Sequence, residues 1–228
     1  MNKKISVLTS VYNDEENIGN AIESILNQEY ENFEFLIMDD CSTDETRNIC
    51  NKYSKKDKRI KIFRNSKNLG LTKSLNILIK NSSGFFVARQ DSDDISYDKR
   101  LATQYKLLSE TNIDGCTTLA LIKDTNKVIP KFSRYVSPKL VIKYKNPFIH
   151  GTLMLKREVM NEIGFYNENF YYAQDYKLMK DLIDKKYNLK IISKVLYQLN
   201  MNNNISKIHK KEQREYAQYV KKGKTPTL

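Results

Sequence analysis

Four short apolar runs, each closed by a polar or acidic cluster and separated by segments of helical period, constrain this chain more than any other feature. Lys4 to Val11 is apolar and β-branched and ends in the turn-forming Tyr12-Asn13-Asp14, so it reads as a buried strand. Ile18, Ala21, Ile22, Ile25 and Leu26 then recur at helical spacing. Phe33 to Met38 is a second strand, closed by Asp39-Asp40-Cys41-Ser42-Thr43-Asp44, and Ile49, Cys50 and Tyr53 mark another helix. Ile60 to Phe63, a helix from Leu71 to Ile79, and Phe85 to Ala88 complete the pattern βαβαβαβ. That alternation predicts an α/β fold, a mostly parallel central sheet with helices on both faces. Ligands of such sheets sit outside the carboxyl ends of the strands, at a topological switch point. Three of those ends carry Tyr12-Asn13-Asp14-Glu15, Asp39-Asp40 and Asp91-Ser92-Asp93-Asp94, so polar and acidic groups converge on one edge.

The second half is less regular. It predicts a helix near Asp98 to Ser109 and strands at Gly115 to Ile122, Ile149 to Lys156 and Leu189 to Leu199. A helix is expected at Asp175 to Lys185, and Ile129 to Asn146 is interrupted by Pro130 and Pro138, with Pro147 just beyond. We expect one domain over 1–206 and a polar, basic tail over 207–228. In that tail Lys207, Lys210, Lys211, Arg214, Lys221, Lys222 and Lys224 accompany Ile208, Tyr216, Tyr219 and Val220. Such a segment is either a solvated terminus or a basic amphipathic element resting on an anionic membrane surface.

Charge bears on partners through its distribution. The net charge is +12, yet residues 1–50 hold 3 basic and 11 acidic side chains, and residues 51–80 hold 10 and 1. These are patches on a dipolar protein, suited to phosphates of a nucleotide or to anionic lipid. A specific nucleic-acid binder would leave the acidic strand ends unexplained. Three cysteines without Cys-x-x-Cys spacing and only two histidines argue against a disulfide scaffold and a structural zinc site. Acidic residues directly follow the first apolar run, and no run approaches the ~18 apolar residues of a membrane span, so a cytoplasmic location is expected.

Asp91-Ser92-Asp93-Asp94 is the sharpest chemical feature. Carboxylates at i and i+2 on a loop can face one hard divalent cation, Mg²⁺ or Mn²⁺, which takes only one or two protein carboxylates beside substrate phosphates. The same residues also suit turns and caps ahead of the next helix. Asp39-Asp40 offers acceptors for a base N–H or ribose hydroxyls, while Ser42-Thr43-Asp44-Glu45 reads as a helix start with Thr43 as its cap.

In their order, Val7-Leu8-Thr9-Ser10-Val11-Tyr12-Asn13-Asp14-Glu15, then Asp39-Asp40-Cys41-Ser42-Thr43-Asp44, then Arg64-Asn65 with Asn68-Leu69-Gly70-Leu71, then Ala88-Arg89-Gln90-Asp91-Ser92-Asp93-Asp94 closely resemble the family 2 glycosyltransferases. The resemblance runs from about Ser6 to Asp184. It implies the GT-A fold, a Rossmann-type sandwich. It also implies inverting transfer of a sugar from a nucleotide-diphosphate donor, with uridine favoured, to a hydroxyl of a glycan or lipid-linked acceptor in surface polysaccharide synthesis. By the same resemblance Thr9, Tyr12, Glu15 and Asp40, with Asp39, Arg64, Lys73, Arg89 and Ser92, hold the donor, and Asp91 and Asp93 hold Mn²⁺ or Mg²⁺. Asp175, in Ala173-Gln174-Asp175-Tyr176, is the expected general base, the alternative being a helix cap.

Departures from the family pattern are Cys41 where Gly is usual, Gln174 where Glu is usual, and Tyr197-Gln198-Leu199-Asn200 in place of a basic or His motif. Cys41 should be benign if its φ is negative. His150, in Asn146-Pro147-Phe148-Ile149-His150-Gly151-Thr152, is a candidate for a phosphate or acceptor contact or a structural histidine. Gly223-Lys224-Thr225 mimics a phosphate loop but lacks the upstream glycine. Nucleotidyl or phosphoryl transfer on a similar sheet is the remaining enzymatic alternative; an aspartyl-phosphate enzyme would want its nucleophile where this chain has Thr9 and Ser10.

Overall fold

Alternation within the strands decides where the chain packs. In β1 (Ile5–Val11) and β2 (Phe33–Asp39), Val7, Val11, Phe35 and Ile37 enter one core while Leu8, Leu36 and Met38 enter another on the opposite face. Strands buried on both faces are continuous apolar runs, which is why these read so clearly in the sequence. The first core is covered by α1 (Ile18–Leu26), α2 (Thr46–Lys56) and α4 (Arg100–Glu110) through Ile22, Ile25, Cys50, Leu101 and Leu108. The second is covered by α3 (Leu71–Lys80), α6 (Arg157–Ile163) and α7 (Gln174–Asp184) through Leu75, Leu78, Val159, Leu178 and Leu182. The computed structural model describes residues 2–131, 135–201 and 209–226.

With β3 (Ile60–Arg64), β4 (Phe86–Arg89), β5 (Ile95–Ser96), β6 (Gly115–Ile122), β8 (Met154–Lys156) and β9 (Leu189–Leu199), the sheet runs β3-β2-β1-β4-β8-β6-β9-β5. The short β7 (Val128–Ile129) pairs with β6 off this path. β3, β2, β1 and β4 are parallel, as expected. Beyond β4 the sheet is mixed, with β8 antiparallel to both β4 and β6, and β6 parallel to β9. The chain moves outward from β1 to β3 and then returns to the other side of β1 as β4, so the switch point lies between β1 and β4.

Three expectations are corrected. The strand expected over Ile149 to Lys156 begins only at Met154, because His150–Thr152 forms a 3-10 turn in which the Thr152 hydroxyl donates to Ile149 O at 2.9 Å. Cys41 takes φ +69°, in the left-handed region, so the condition for its benign replacement of the usual Gly is not met. The basic tail is not a separate appendage: Lys210–Lys222 is a helix, α8, that packs on α7. Its Val220 is buried in the second core with Tyr216, Ala217 and Tyr219 against it, so the apolar stripe that would have met lipid faces protein. Lys207, Ile208 and the run Asn202-Asn203-Asn204 lie outside the described residues.

Candidate functional site

The loops after β1 and β2 are stitched to each other. Asn13, at φ +49°, accepts the Thr43 N–H on its side-chain oxygen at 2.8 Å, and its own N–H donates to Ser42 Oγ at 3.1 Å. Asp14 N–H donates to Thr46 Oγ1, and Glu15 accepts the Glu45 N–H at 2.7 Å. Asp44, not Thr43, accepts the Thr46 N–H at the start of α2, correcting the expected cap. Tyr12 stands 49% exposed at the rim, a ring open to stacking.

Asp39 and Asp40 are both buried. Asp39 Oδ1 accepts the Ser42 N–H at 2.8 Å; its Oδ2 has no hydrogen-bond donor and is covered by Arg64 Nε at 3.4 Å. Asp40 takes three bonds from one loop, from Asn65 Nδ2 (2.7 Å), Leu69 N–H and Gly70 N–H (2.8 Å each). Asp40, expected at the nucleoside, uses three of its roughly four acceptor sites to shape residues 65–70. Gly70 needs its φ of +83° for this turn. Lys73 follows, exposed in the first turn of α3.

The acidic loop after β4 rests on a buried polar layer. Arg89, expected at phosphates, is turned inward: its Nη1 donates to Leu8 O and to Gln90 O, and its Nη2 pairs with Asp91 Oδ1. Thr9 is likewise buried, donating to Gln90 O at 2.8 Å. Gln90 Nε2 donates to the carbonyls of Asp91 (2.9 Å) and Asp94 (2.8 Å), and the fully buried Arg100 donates to Arg89 O at 3.0 Å. Asp91 N–H donates to the hydroxyl of buried Tyr197 at 3.1 Å, and Asp94 accepts the Asn200 N–H at 2.7 Å. Asp91, Ser92 and Asp93 are left half-buried at the surface of this layer.

Carboxylates crowd here with few cations. Burial, then the charges of Asp91 and Asp14, push Asp93 up to about 7; burial, then Asp91 and Asp93, raise Asp94. Among the described residues no three His, Cys, Asp or Glu side chains form a ready metal cage. A cation that takes one or two carboxylates plus phosphates needs none, and like-charge crowding at Asp91 and Asp93 is what it would relieve.

On the other side of Asp91, Gly151 is packed so closely that a Cβ there would lie 2.5 Å from Asp91 Oδ2. His150 Nε2 and the Tyr166 hydroxyl are 2.7 Å apart. Burial, then Arg89, lowers His150, whereas Asp91 and Asp175 act to raise it, so the His150–Tyr166 pair lies in the field of both acids. Asp175 sits in the first turn of α7 without capping it, and its Oδ2 accepts Asn146 Nδ2 at 2.8 Å. Ala173, at φ +51°, turns the chain into that helix, with its N–H donated to Gln213 of α8 at 3.2 Å. Leu178 and Leu182 anchor α7 as their spacing predicts.

This arrangement of acidic strand ends around the β1/β4 switch has known counterparts. The glycosyl transferase family 2 model matches residues 6–166. The chain belongs to that family. It is 34% identical over 170 residues to the putative glycosyltransferase EpsE of Bacillus subtilis, covering 72% of this chain and 60% of EpsE. It is 32% identical over 193 residues to WfgD of Escherichia coli, a UDP-Glc:alpha-D-GlcNAc-diphosphoundecaprenol beta-1,3-glucosyltransferase, covering 83% of this chain and 73% of WfgD. Among solved structures, the mannosyltransferase PcManGT of Pyrobaculum calidifontis in complex with GDP-Man and Mn²⁺ superposes with TM-score 0.80 at 18% identity. That match spans 99% of this chain and 66% of the other. S. aureus TarS 1-349 in complex with UDP-GlcNAc gives 0.79 at 22%, over 95% and 65%. These likenesses show the GT-A fold, and the chain spans only part of the length of these proteins.

The family 2 resemblance located the strand-end acids and the Asp175 turn. It gave no role to Asn146, Gly151 and Tyr166 beside Asp91 and Asp175, or to Gln90, Arg100 and Tyr197 beneath the acidic loop. Arg100 carried a signal, since a charged residue on the inward stripe of α4 with Leu101, Gln104 and Leu108 needs buried partners.

Proposed function

We propose that this chain transfers a sugar from a nucleotide-diphosphate sugar, a UDP-sugar first among them, to a hydroxyl of a glycan or lipid-linked acceptor, with inversion, in surface polysaccharide synthesis. The observation that carries this reading is that Asp91, with Asp93 beside it, and the Asp175–Asn146 pair both lie close to His150 and Tyr166 near the β1/β4 switch point. Tyr12, Asp39, Arg64, Lys73 and Ser92 border the donor. Asp39 Oδ2 offers an acceptor to the nucleoside once Arg64 turns from it to a phosphate. Thr9, Glu15, Asp40 and Arg89 hold the surrounding loops in place. Asp91 and Asp93 hold Mn²⁺ or Mg²⁺, which when bound neutralises the leaving diphosphate.

A sugar hydroxyl is a weak nucleophile at neutral pH, so a single in-line displacement wants a carboxylate within reach to take its proton. Asp175 fills that role, held by Asn146. The named activity of WfgD and the UDP-GlcNAc bound to TarS support the donor class. The site would act in the cytoplasm, at the inner face of the plasma membrane; among the described residues no helix is long and apolar enough to cross one.

Asp175→Asn tests the assignment, because Asn keeps the hydrogen-bonding shape but cannot accept the proton. Donor with Mn²⁺ should still raise the melting temperature of the variant, while turnover falls ~10²-fold or more. Near-normal turnover at saturating donor and acceptor would leave Asp175 a structural residue.

A further inference from the structure

Between Asp124 and Glu158 the sequence has eight lysines and arginines and no acidic side chain. Part of that stretch forms one outward face. From Ser137 to Lys145 the chain runs in helical turns around α5 (Pro138–Val141), closed by Ile142 N–H to Pro138 O at 2.9 Å and Lys145 N–H to Val141 O at 3.0 Å. Ile142 is buried in the second core, and the Tyr176 hydroxyl donates to its carbonyl at 2.7 Å. With Ile142 inward, Leu140 and Tyr144, at i and i+4, stand 56% and 74% exposed, and Val136, just before the turns, 45%. Lys139, Lys143 and Lys145 are exposed among them.

Large apolar groups held in water gain nothing there. Interleaved with lysines whose stems can lie along apolar surface, they match the interface of an anionic bilayer, where apolar groups enter the acyl boundary and ammonium groups meet phosphates. The geometry points to this face as the docking surface for an anionic lipid bilayer. An acidic protein or nucleic acid would answer the lysines and leave Leu140 and Val136 without a partner. The face also leads to the site: a hollow of about 350 Å³ lined by Lys131, Lys145, Asn146 and Phe148 adjoins it, and Asn146 holds Asp175. Its use for a lipid-linked acceptor rests on the proposed function; the docking itself does not.

Vesicle flotation of the full chain tests it, with phosphatidylcholine alone and with added phosphatidylglycerol. The chain should partition onto the anionic vesicles. Each lysine at such a surface contributes about fivefold, so Lys139→Ala/Lys143→Ala/Lys145→Ala should lose roughly 100-fold, and Leu140→Ser/Tyr144→Ser should also weaken binding. Lys52→Ala/Lys55→Ala/Lys58→Ala removes equal charge from exposed lysines at α2 and the turn after it, on the opposite face of the sheet, and should lose far less. Equal loss in that control, or no preference for anionic vesicles, overturns the proposal. Nucleotide release from the donor without vesicles should be unchanged in the variants at 139–145. Its absence in the wild-type chain would count against the catalytic reading alone.

Discussion

A single methyl group at residue 151 probes how tightly Asp91 is placed. In Gly151→Ala the new Cβ would lie 2.5 Å from Asp91 Oδ2 and 2.5 Å from the Tyr197 hydroxyl, where ordinary contact starts near 3.4 Å. Something must therefore give by about 0.9 Å. Tyr197, fully buried with its ring under Arg100 at 5.5 Å, resists displacement, so the backbone of residue 151 must shift away from it. Asp91 is half-buried on a loop, so it moves, and its pairing with Arg89 is disturbed. Misplacing by ~1 Å a group that orients the reacting atoms costs about 10²-fold. Overpacking costs about 1–3 kcal/mol in stability, which leaves a folded protein. Nucleotide release at saturating donor and Mn²⁺, with denaturant unfolding in parallel, reads both effects. Gly19→Ala is the control: its Cβ meets nothing nearer than 3.7 Å, and in α1 it should stabilise by about 1 kcal/mol. Wild-type turnover in Gly151→Ala would refute the argument that contact with residue 151 sets the position of Asp91.

Two further outcomes follow from the scaffold. Glu34 is buried on β2, accepting Ser6 Oγ at 2.7 Å, Ser83 N–H at 2.7 Å and Lys61 Nζ at 2.8 Å. Burial would raise its carboxyl, but these bonds outweigh burial and hold it well below the usual range. A depressed value stabilises the fold above the unfolded carboxyl's ~4.3 and is lost as pH falls. Glu34→Ala should thus cost about 1–3 kcal/mol at neutral pH, chiefly by leaving the buried Ser6 hydroxyl without its acceptor, with a gap to wild type that narrows in acid urea titrations; a pH-independent gap would contradict this. Cys41→Gly should stabilise by about 1 kcal/mol by relieving a left-handed L-residue, despite losing the Sγ contact to Ser66 O at 3.6 Å; calorimetric destabilisation would show that this contact outweighs the strain.

β1, β2 and β4 are legible because both their faces are buried, the edge strand β3 through its apolar Ile60, Ile62 and Phe63, and the intervening helices through their one-sided apolar stripes. β5, β7 and β8 are two or three residues long, too short for a period of two to register. The strand-end acids are visible as punctuation, whereas the groups behind them arrive from far along the chain: Tyr197 reaches Asp91, and Asn200 reaches Asp94, across 106 residues. Thr9, Asp40 and Arg89, expected at the donor from the family resemblance, already bond to neighbouring backbone and loop groups. A polar residue at a strand end serves either a ligand or the neighbouring loops, and only the third dimension shows which bonds are already made. In α8 the apolar residues Tyr216, Tyr219 and Val220 are visible among the lysines, but their period cannot say that protein, not lipid, covers them.

The bond between Ala173 and Gln213 has a consequence for biosynthesis. A chain leaving the ribosome has β1 to β4, and with them Asp91 and Asp93, after its first hundred residues. The turn that presents Asp175 waits for α8 to arrive and dock. At about 5–20 residues per second, several seconds separate the two events. During that interval the nascent chain carries Asp91 and Asp93 beside an Asp175 turn that lacks its bond to Gln213, and the turn gains that bond only once α8 has been made.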